Sequence, residues 1–240
     1  MSLSEQKGTV ARRLLVVVAH PDDAEFTVAG SVALWAREGH HIWYVICTDG
    51  SRGTSDPKLT PQELSAIRAE EQRAAARMLG VQEVAFLGYV DGSLEPSIDL
   101  RRDLTRMIRR HRPDVLICQD PTVRWSGQEY INHPDHIAAG EASLAAVFPA
   151  ARDRLAFPEL LVEGLEPHKV AEVYVTGSRE PDLWVDISSA IDLKIRALKE
   201  HRSQVDETNL EQRIREWARR AAQGREGLEY AESFKYFRLR

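Results

Sequence analysis

The sequence is poor in sulfur. Cys47 and Cys118 are the only cysteines among 240 residues, which excludes a disulfide framework and a zinc site built on thiolates. Each ends an apolar run, Ile42 to Cys47 and Val115 to Cys118, so both are expected as reduced core thiols. Long apolar runs are also missing. None approaches the roughly 20 residues that a membrane-spanning helix needs, so no membrane insertion is expected. Met1 to Gly8 is polar and lacks the core of a signal peptide; a cytoplasmic protein with a flexible start over residues 1–10 is expected. Surplus positive charge is absent. The formal net charge is −5 and no basic run is interleaved with aromatics, which argues against nucleic acid as a partner. Glycine is scarce where a dinucleotide would need it. The stretch 20–30 holds only Gly30, so the phosphate-binding fingerprint is missing.

What is present is a soluble globular composition, 43% hydrophobic and 29% charged. Strand-like runs at Leu14–Ala19, Ile42–Thr48, Glu83–Phe86 and Asp114–Cys118 alternate with helical patterns. The helices are Phe26 to Arg37, Pro61 to Leu79 with Gly80 as stop signal, and a third traced by Leu100, Leu104, Met107 and Ile108. This alternation predicts an α/β fold: a mostly parallel, Rossmann-like sheet with helices on both faces. A long polar loop, Gln119 to Asn132, precedes a helix over His133–Val147. Residues 149–171 read as irregular or as containing a short strand. Strands at Ala171–Thr176 and Leu183–Ile187 and helices at Ser188–Ser203 and Asn209–Ala222 follow. No linker or repeat divides the chain, so 1–240 reads as one domain. The helix bearing Trp217 and the tail Tyr230–Arg240 are candidate contact surfaces.

Two clusters carry chemistry. The first strand runs directly into His20-Pro21-Asp22-Asp23-Ala24-Glu25. Pro21 stops the strand, so an imidazole and three acids fall at its carboxyl end, where open α/β sheets bind ligands. Taken alone, these acids serve equally well as caps of the next helix. The second cluster is His133-Pro134-Asp135-His136. Pro134 suits a first helical turn, and histidines three apart share a helix face. Together the clusters supply three ligands, His20, Asp23 and one of the two helix histidines, with room for water. That is the pattern of a catalytic rather than a structural zinc.

These two elements, in this order, resemble the zinc-dependent N-acetylglucosaminyl deacetylase family, the PIG-L or LmbE-like proteins. Ala19-His20-Pro21-Asp22-Asp23-Ala24-Glu25 resembles its first motif in the form with one residue before the Glu, and His133 to His136 its second. The spaced form is similar to the branch that includes bacillithiol-type deacetylases. Thr48-Asp49-Gly50, Arg68 with Glu71, Asp91-Gly92, Lys194 through His201 to Gln204, and Tyr230 to Phe234 are similar to further family segments. The resemblance implies an LmbE-like fold and hydrolysis of an N-acetyl amide on a small GlcNAc conjugate. It implies His20, Asp23 and His136 as ligands of Zn2+ or another divalent metal. It implies Asp22 as general base and His133 as electrostatic stabiliser or general acid. Relatives of this type are often homo-oligomers, hexamers among them, so a homo-oligomer is expected.

Arg68 and Asp91 are expected to contact the sugar, against the simpler readings of a helix-surface ion pair with Glu70 or Glu71 and of a plain turn. Trp125 is expected as a wall or lid over the pocket. Glu25, Asp135 and His201 are expected behind the ligands, with Asp135 or Asp120 as the carboxylate that would keep His133 cationic. Two other activities fit the residues: hydrolysis of a thiol-conjugate amide or of an ester, and a non-catalytic sugar-binding or assembly subunit that keeps the fold.

Overall fold

A computed structural model describes residues 10–240. The expected flexible start therefore lies outside the described residues, apart from Val10. The central sheet has seven strands. In chain order they are β1 (Arg13–Val18), β2 (His41–Thr48), β3 (Glu83–Tyr89), β4 (Val115–Gln119), β7 (Glu172–Thr176), β8 (Leu183–Asp186) and β9 (Ala231–Arg238). In space the order is β3-β2-β1-β4-β7-β9-β8. The pairs from β3 through β7 are parallel, and β9 runs antiparallel to both β7 and β8. The chain begins at β1, winds out to β3, then returns to β4 on the other side of β1. The carboxyl ends of β1 and β4 therefore flank the switch point where such sheets bind ligands.

Alternation along β1 feeds two cores. Leu14, Val16 and Val18 face α2 (Ala29–Arg37), α3 (Pro61–Leu79), α7 (Ile191–Leu198) and α8 (Leu210–Ala222). Leu15 and Val17 face α4 (Ile98–His111) and α5 (Pro134–Ala145). Each fully buried Leu, Ile or Val contributes about 1.5–3 kcal/mol. The start of α3 is fixed by a reciprocal cap between Thr60 and Glu63, with Pro61 in the first turn, and its end by Gly80 at φ 83°. α5 lies unusually close to β4. A Cβ on Gly140 would fall 2.3 Å from the Gln119 carbonyl oxygen, so only glycine lets the helix approach.

Several expectations are corrected. The first helix is two helices, α1 (Asp23–Thr27) and α2, broken at Val28, whose φ is −132°. The 119–132 loop carries a small hairpin, β5 (Trp125–Ser126) with β6 (Tyr130–Ile131). The expected helix over 188–203 shortens to α7. The region 149–171 contains one short helix, α6 (Glu159–Val162). The tail Tyr230–Arg240, offered as a contact surface, belongs to the sheet, with its last residues mostly exposed. It forms β9, bonded on both edges, with Phe234 fully buried.

Candidate active site

β1 delivers its terminal residues to the switch point under firm hydrogen bonding. Ala19 N donates to Gln119 Oε1 at 3.0 Å, and its carbonyl accepts from Thr48 Oγ1 at 2.9 Å. The chain then turns at Asp22, whose φ of 101° lies in the left-handed region that a side chain rarely adopts. This turn sends two adjacent carboxylates different ways. Asp23 enters α1 and meets His136 Nε2 at 3.1 Å through Oδ1. Its other oxygen accepts from His20 N and Gln119 Nε2. Asp22 instead lies beside Arg68, with Oδ2 3.4 Å from Nη2.

His20 Nδ1, Asp23 and His136 Nε2 converge. His20 Nδ1 is 3.3 Å from His136 Nε2 and 3.4 Å from Asp23 Oδ2. Donors about 2.0–2.2 Å from a zinc ion at tetrahedral angles stand roughly 3.3 Å apart, so this set fits a divalent metal. Two imidazoles and a carboxylate are also the donors such a metal takes. A second grouping, His20, Asp91, His133 and Asp135, overlaps it at His20. It fits less well, because Asp135 is already committed. Its oxygens accept from Gly92 N at 2.7 Å and Leu94 N at 3.1 Å, and Oδ2 meets His20 Nε2 at 3.1 Å. A carboxylate behind an imidazole orients the ring for a metal on its other nitrogen.

The charge balance agrees. Burial opposes a charged His20, but hydrogen bonds to Asp135, Asp23 and Asp91 outweigh it and push the ring's pKa up to about 12. Three carboxylates around one imidazole favour a cation there. Burial also works against Asp23, yet His136 and His20 hold its carboxyl well below the usual range. Asp22 goes the other way. Burial and the neighbouring Asp23 charge raise it to about 7, against the pull of Arg68, His201 and His20.

His133 differs from expectation. Its Nδ1 accepts from Asp135 N at 3.2 Å, which leaves the ring proton on Nε2. Burial and the His20 charge lower its pKa. The Asp135 carboxylate stands 3.9 Å away, while Asp120 is taken by Thr122. Neither carboxylate lies within hydrogen-bond distance of the ring, and with Nδ1 accepting, Nε2 is the nitrogen free to donate.

Arg68 is buried, not a helix-surface partner. It donates to the carbonyls of Gly50, Arg52 and Pro21, tying two loops together. Glu71 binds Ser203 instead, and Glu70 binds Arg73. Asp91 is more than a turn residue: it accepts from Arg52 N and lies 3.2 Å from His20 Nε2. Glu25 and His201 are fully buried and paired at 3.1 Å. Trp125 is 59% exposed under the Arg179 guanidinium.

A cleft of about 440 Å³ opens from the metal-fitting group. Asp23 and His136 line it together with Phe26, Tyr130, Trp217 and Arg213. The hairpin thus contributes Tyr130 to the wall rather than Trp125. Tyr130, Arg213 and Trp217 stand in no recognisable motif, nor do Gln72, Gln119 and Asn132, which hold the site residues by hydrogen bonds. The position of Gln72 four residues after Arg68, on the same helix face, was the one available signal.

Fold and site define an α/β protein with a hydrolase-type centre at the sheet's switch point. The PIG-L family, GlcNAc-PI de-N-acetylase, matches residues 15–147, and the chain belongs to it. The chain is 32% identical over 82% of its length to a diacetylchitobiose deacetylase of Thermococcus kodakarensis, covering 71% of that protein. It is 28% identical over 80% of its length to a probable N-acetyl-alpha-D-glucosaminyl L-malate deacetylase 2 of Bacillus anthracis, covering 81% of that protein. Among solved structures, the N,N'-diacetylchitobiose deacetylase of Pyrococcus horikoshii matches with a TM-score of 0.87 and 31% identity, over 95% of this chain and 84% of that one.

Proposed function

We propose that this protein removes the N-acetyl group from a small GlcNAc-containing conjugate, releasing acetate and a free amine. The observation that carries the reading is the convergence of His20 Nδ1, Asp23 and His136 Nε2 beside a separately held, part-buried Asp22. His20, Asp23 and His136 would hold the metal, zinc being the ion these donors suit best. Bound there, such an ion would supply Lewis acidity toward the amide carbonyl and would lower the pKa of water toward neutrality.

The chain's own groups do the rest. Asp22 takes the proton of the attacking water on a carboxylate oxygen, a task suited to a pKa near the working pH. The new C–O bond forms as the carbonyl oxygen becomes negative. His133 Nε2–H donates to that oxygen as a neutral hydrogen-bond donor. Asp22 then returns its proton to the nitrogen, and the C–N bond breaks. The group attached to the sugar extends along Phe26, Tyr130 and Trp217, whose ring faces suit a sugar or another flat apolar surface. Asp91 and Arg68 keep the loops beside His20 and Asp22 in place.

The test is a panel of N-acetylated amino sugars, esters and thiol-conjugate amides, scored for acetate, amine and alcohol. Acetate and amine in equal amounts from the amino sugars are expected, with Asp22→Asn lowering kcat by about 10²–10⁴-fold. Turnover confined to esters, or full activity of Asp22→Asn, would overturn the reading.

A further inference from the structure

Adjacent carboxylates in one chain would ordinarily compete for the same cation. Here they do not, because the backbone at Asp22 turns through φ 101° and ψ −26°. A non-glycine residue in this region is strained and persists only where its surroundings fix it. Three contacts fix this one. Arg68 Nη2 donates to the Pro21 carbonyl at 2.7 Å, and the Asp22 carbonyl accepts from Phe26 N at 3.0 Å. The Asp22 N–H itself donates to Gln72 Oε1 at 3.0 Å.

Gln72 has no exposed surface, and its other end is equally constrained. Its Nε2 lies 3.0 Å from both oxygens of Glu25. Glu25 Oε2 in turn meets His201 Nε2. The Glu25 carboxylate can only accept, so it fixes which way the Gln72 amide points. The oxygen must then face Asp22. A directional chain runs from His201 through Glu25 and Gln72 to the Asp22 N–H at the strained turn.

We propose that Gln72 is the positioning residue that separates the duties of Asp22 and Asp23, holding Asp22 in its left-handed turn so that its carboxylate stays off the metal ligands. This rests on the assignment of Asp22 as the base. Gln72 touches no substrate. Without its acceptor, the part-buried Asp22 N–H loses its hydrogen bond, and the turn relaxes toward negative φ. The Asp22 carboxylate is then misplaced relative to the attacking water, and misplacement by about 1 Å costs about 10²-fold in rate.

Two measurements test this. A crystal structure of Gln72→Met reads the turn without any substrate: Asp22 is expected to leave the positive-φ region, and an unchanged Asp22 overturns the proposal. Kinetics of the zinc-loaded variant should show kcat down by about 10²-fold with KM and zinc content within twofold of the parent. Loss of kcat, KM and zinc together would instead mark a merely structural role and sink the idea. If Gln72→Met does not fold, the exchange Glu25→Gln with Gln72→Glu carries the test. It keeps an acceptor for Asp22 N–H, a carboxylate–amide pair and the net charge. Recovery to within about tenfold of the parent supports the proposal. A folded, zinc-loaded exchange variant with the positive-φ turn but a kcat 10²-fold down overturns it. A parent that turns over no N-acetyl amino sugar would refute the proposed function, while the structure of Gln72→Met would still decide the turn.

Discussion

Asp22 carries a burden that its neighbour does not. As the base of the proposed mechanism it must stay unprotonated to accept a proton, yet burial and the Asp23 charge raise its pKa to about 7. A base works above its pKa, so activity rises with pH along the acid limb. A cation bound beside Asp23 offsets that carboxylate's charge and lowers the pKa of Asp22. The acid limb of kcat/KM for the zinc-loaded protein is therefore expected below pH 7, and the metal-free carboxyl is expected to titrate at higher pH. A pH–rate profile set against carbon-13 NMR of the metal-free protein checks both, and a metal-free value below the kinetic one would contradict the argument. The residues of this region differ in how readable they were. His20, Asp22, Asp23 and His133 to His136 stand in short contiguous segments whose residue types announce their chemistry. Arg68 was legible as a site residue, but its partners were not, because the carbonyls of Gly50, Arg52 and Pro21 carry no mark in the sequence. Which ring nitrogen of His133 is free to donate depends on where one backbone N–H points, and residue identity does not encode that.

At the scale of elements, α8 and β9 matter beyond their place in the core. α8 brings Trp217 against Phe26 with ring centroids 6.4 Å apart, and both line the cleft. Trp217→Ala is expected to raise KM about tenfold for conjugates with a bulky attached group and to leave free GlcNAc nearly unchanged, as loss of roughly 1.4 kcal/mol of aromatic contact would do. Equal changes on both substrates would remove Trp217 from that wall. β9 places Glu232 at the start of α2, where it accepts from Gly30 N and Ser31 N. Lys194 of α7 meets the same carboxylate at 2.6 Å, both side chains about 95% buried. Removing one member of such a pair leaves a buried charge alone and costs about 3–5 kcal/mol. Glu232→Ala should then lower Tm by roughly 6–20 °C in a chain of this size, measured calorimetrically; a shift under about 2 °C would mean the pair adds little. The parallel strands were legible from their apolar runs. β9 was not, because Ala231 to Arg238 mixes charges with aromatics and gains its strand character only between two partners.

At the scale of the molecule, the metal would also bear on stability. A ligand that binds only the folded protein stabilises it by about 2.7 kcal/mol at a hundredfold excess over Kd. Stripping it with a chelator is expected to end turnover and to lower Tm by roughly 5–10 °C, with both restored by added zinc. A chelator without effect on either would argue against a resident ion. The sheet adds a consequence of its own. β8 is synthesised before β9, yet in the sheet it hangs from β9 alone, which lies between it and β7. A growing chain on the ribosome therefore exposes β8 as an orphan edge until more than forty further residues have emerged. The same late arrival brings the Glu232 carboxylate that fastens the start of α2. Until then the start of the helix beside Asp22 lacks those two hydrogen bonds, and the nascent protein depends on whatever shields an unpaired strand.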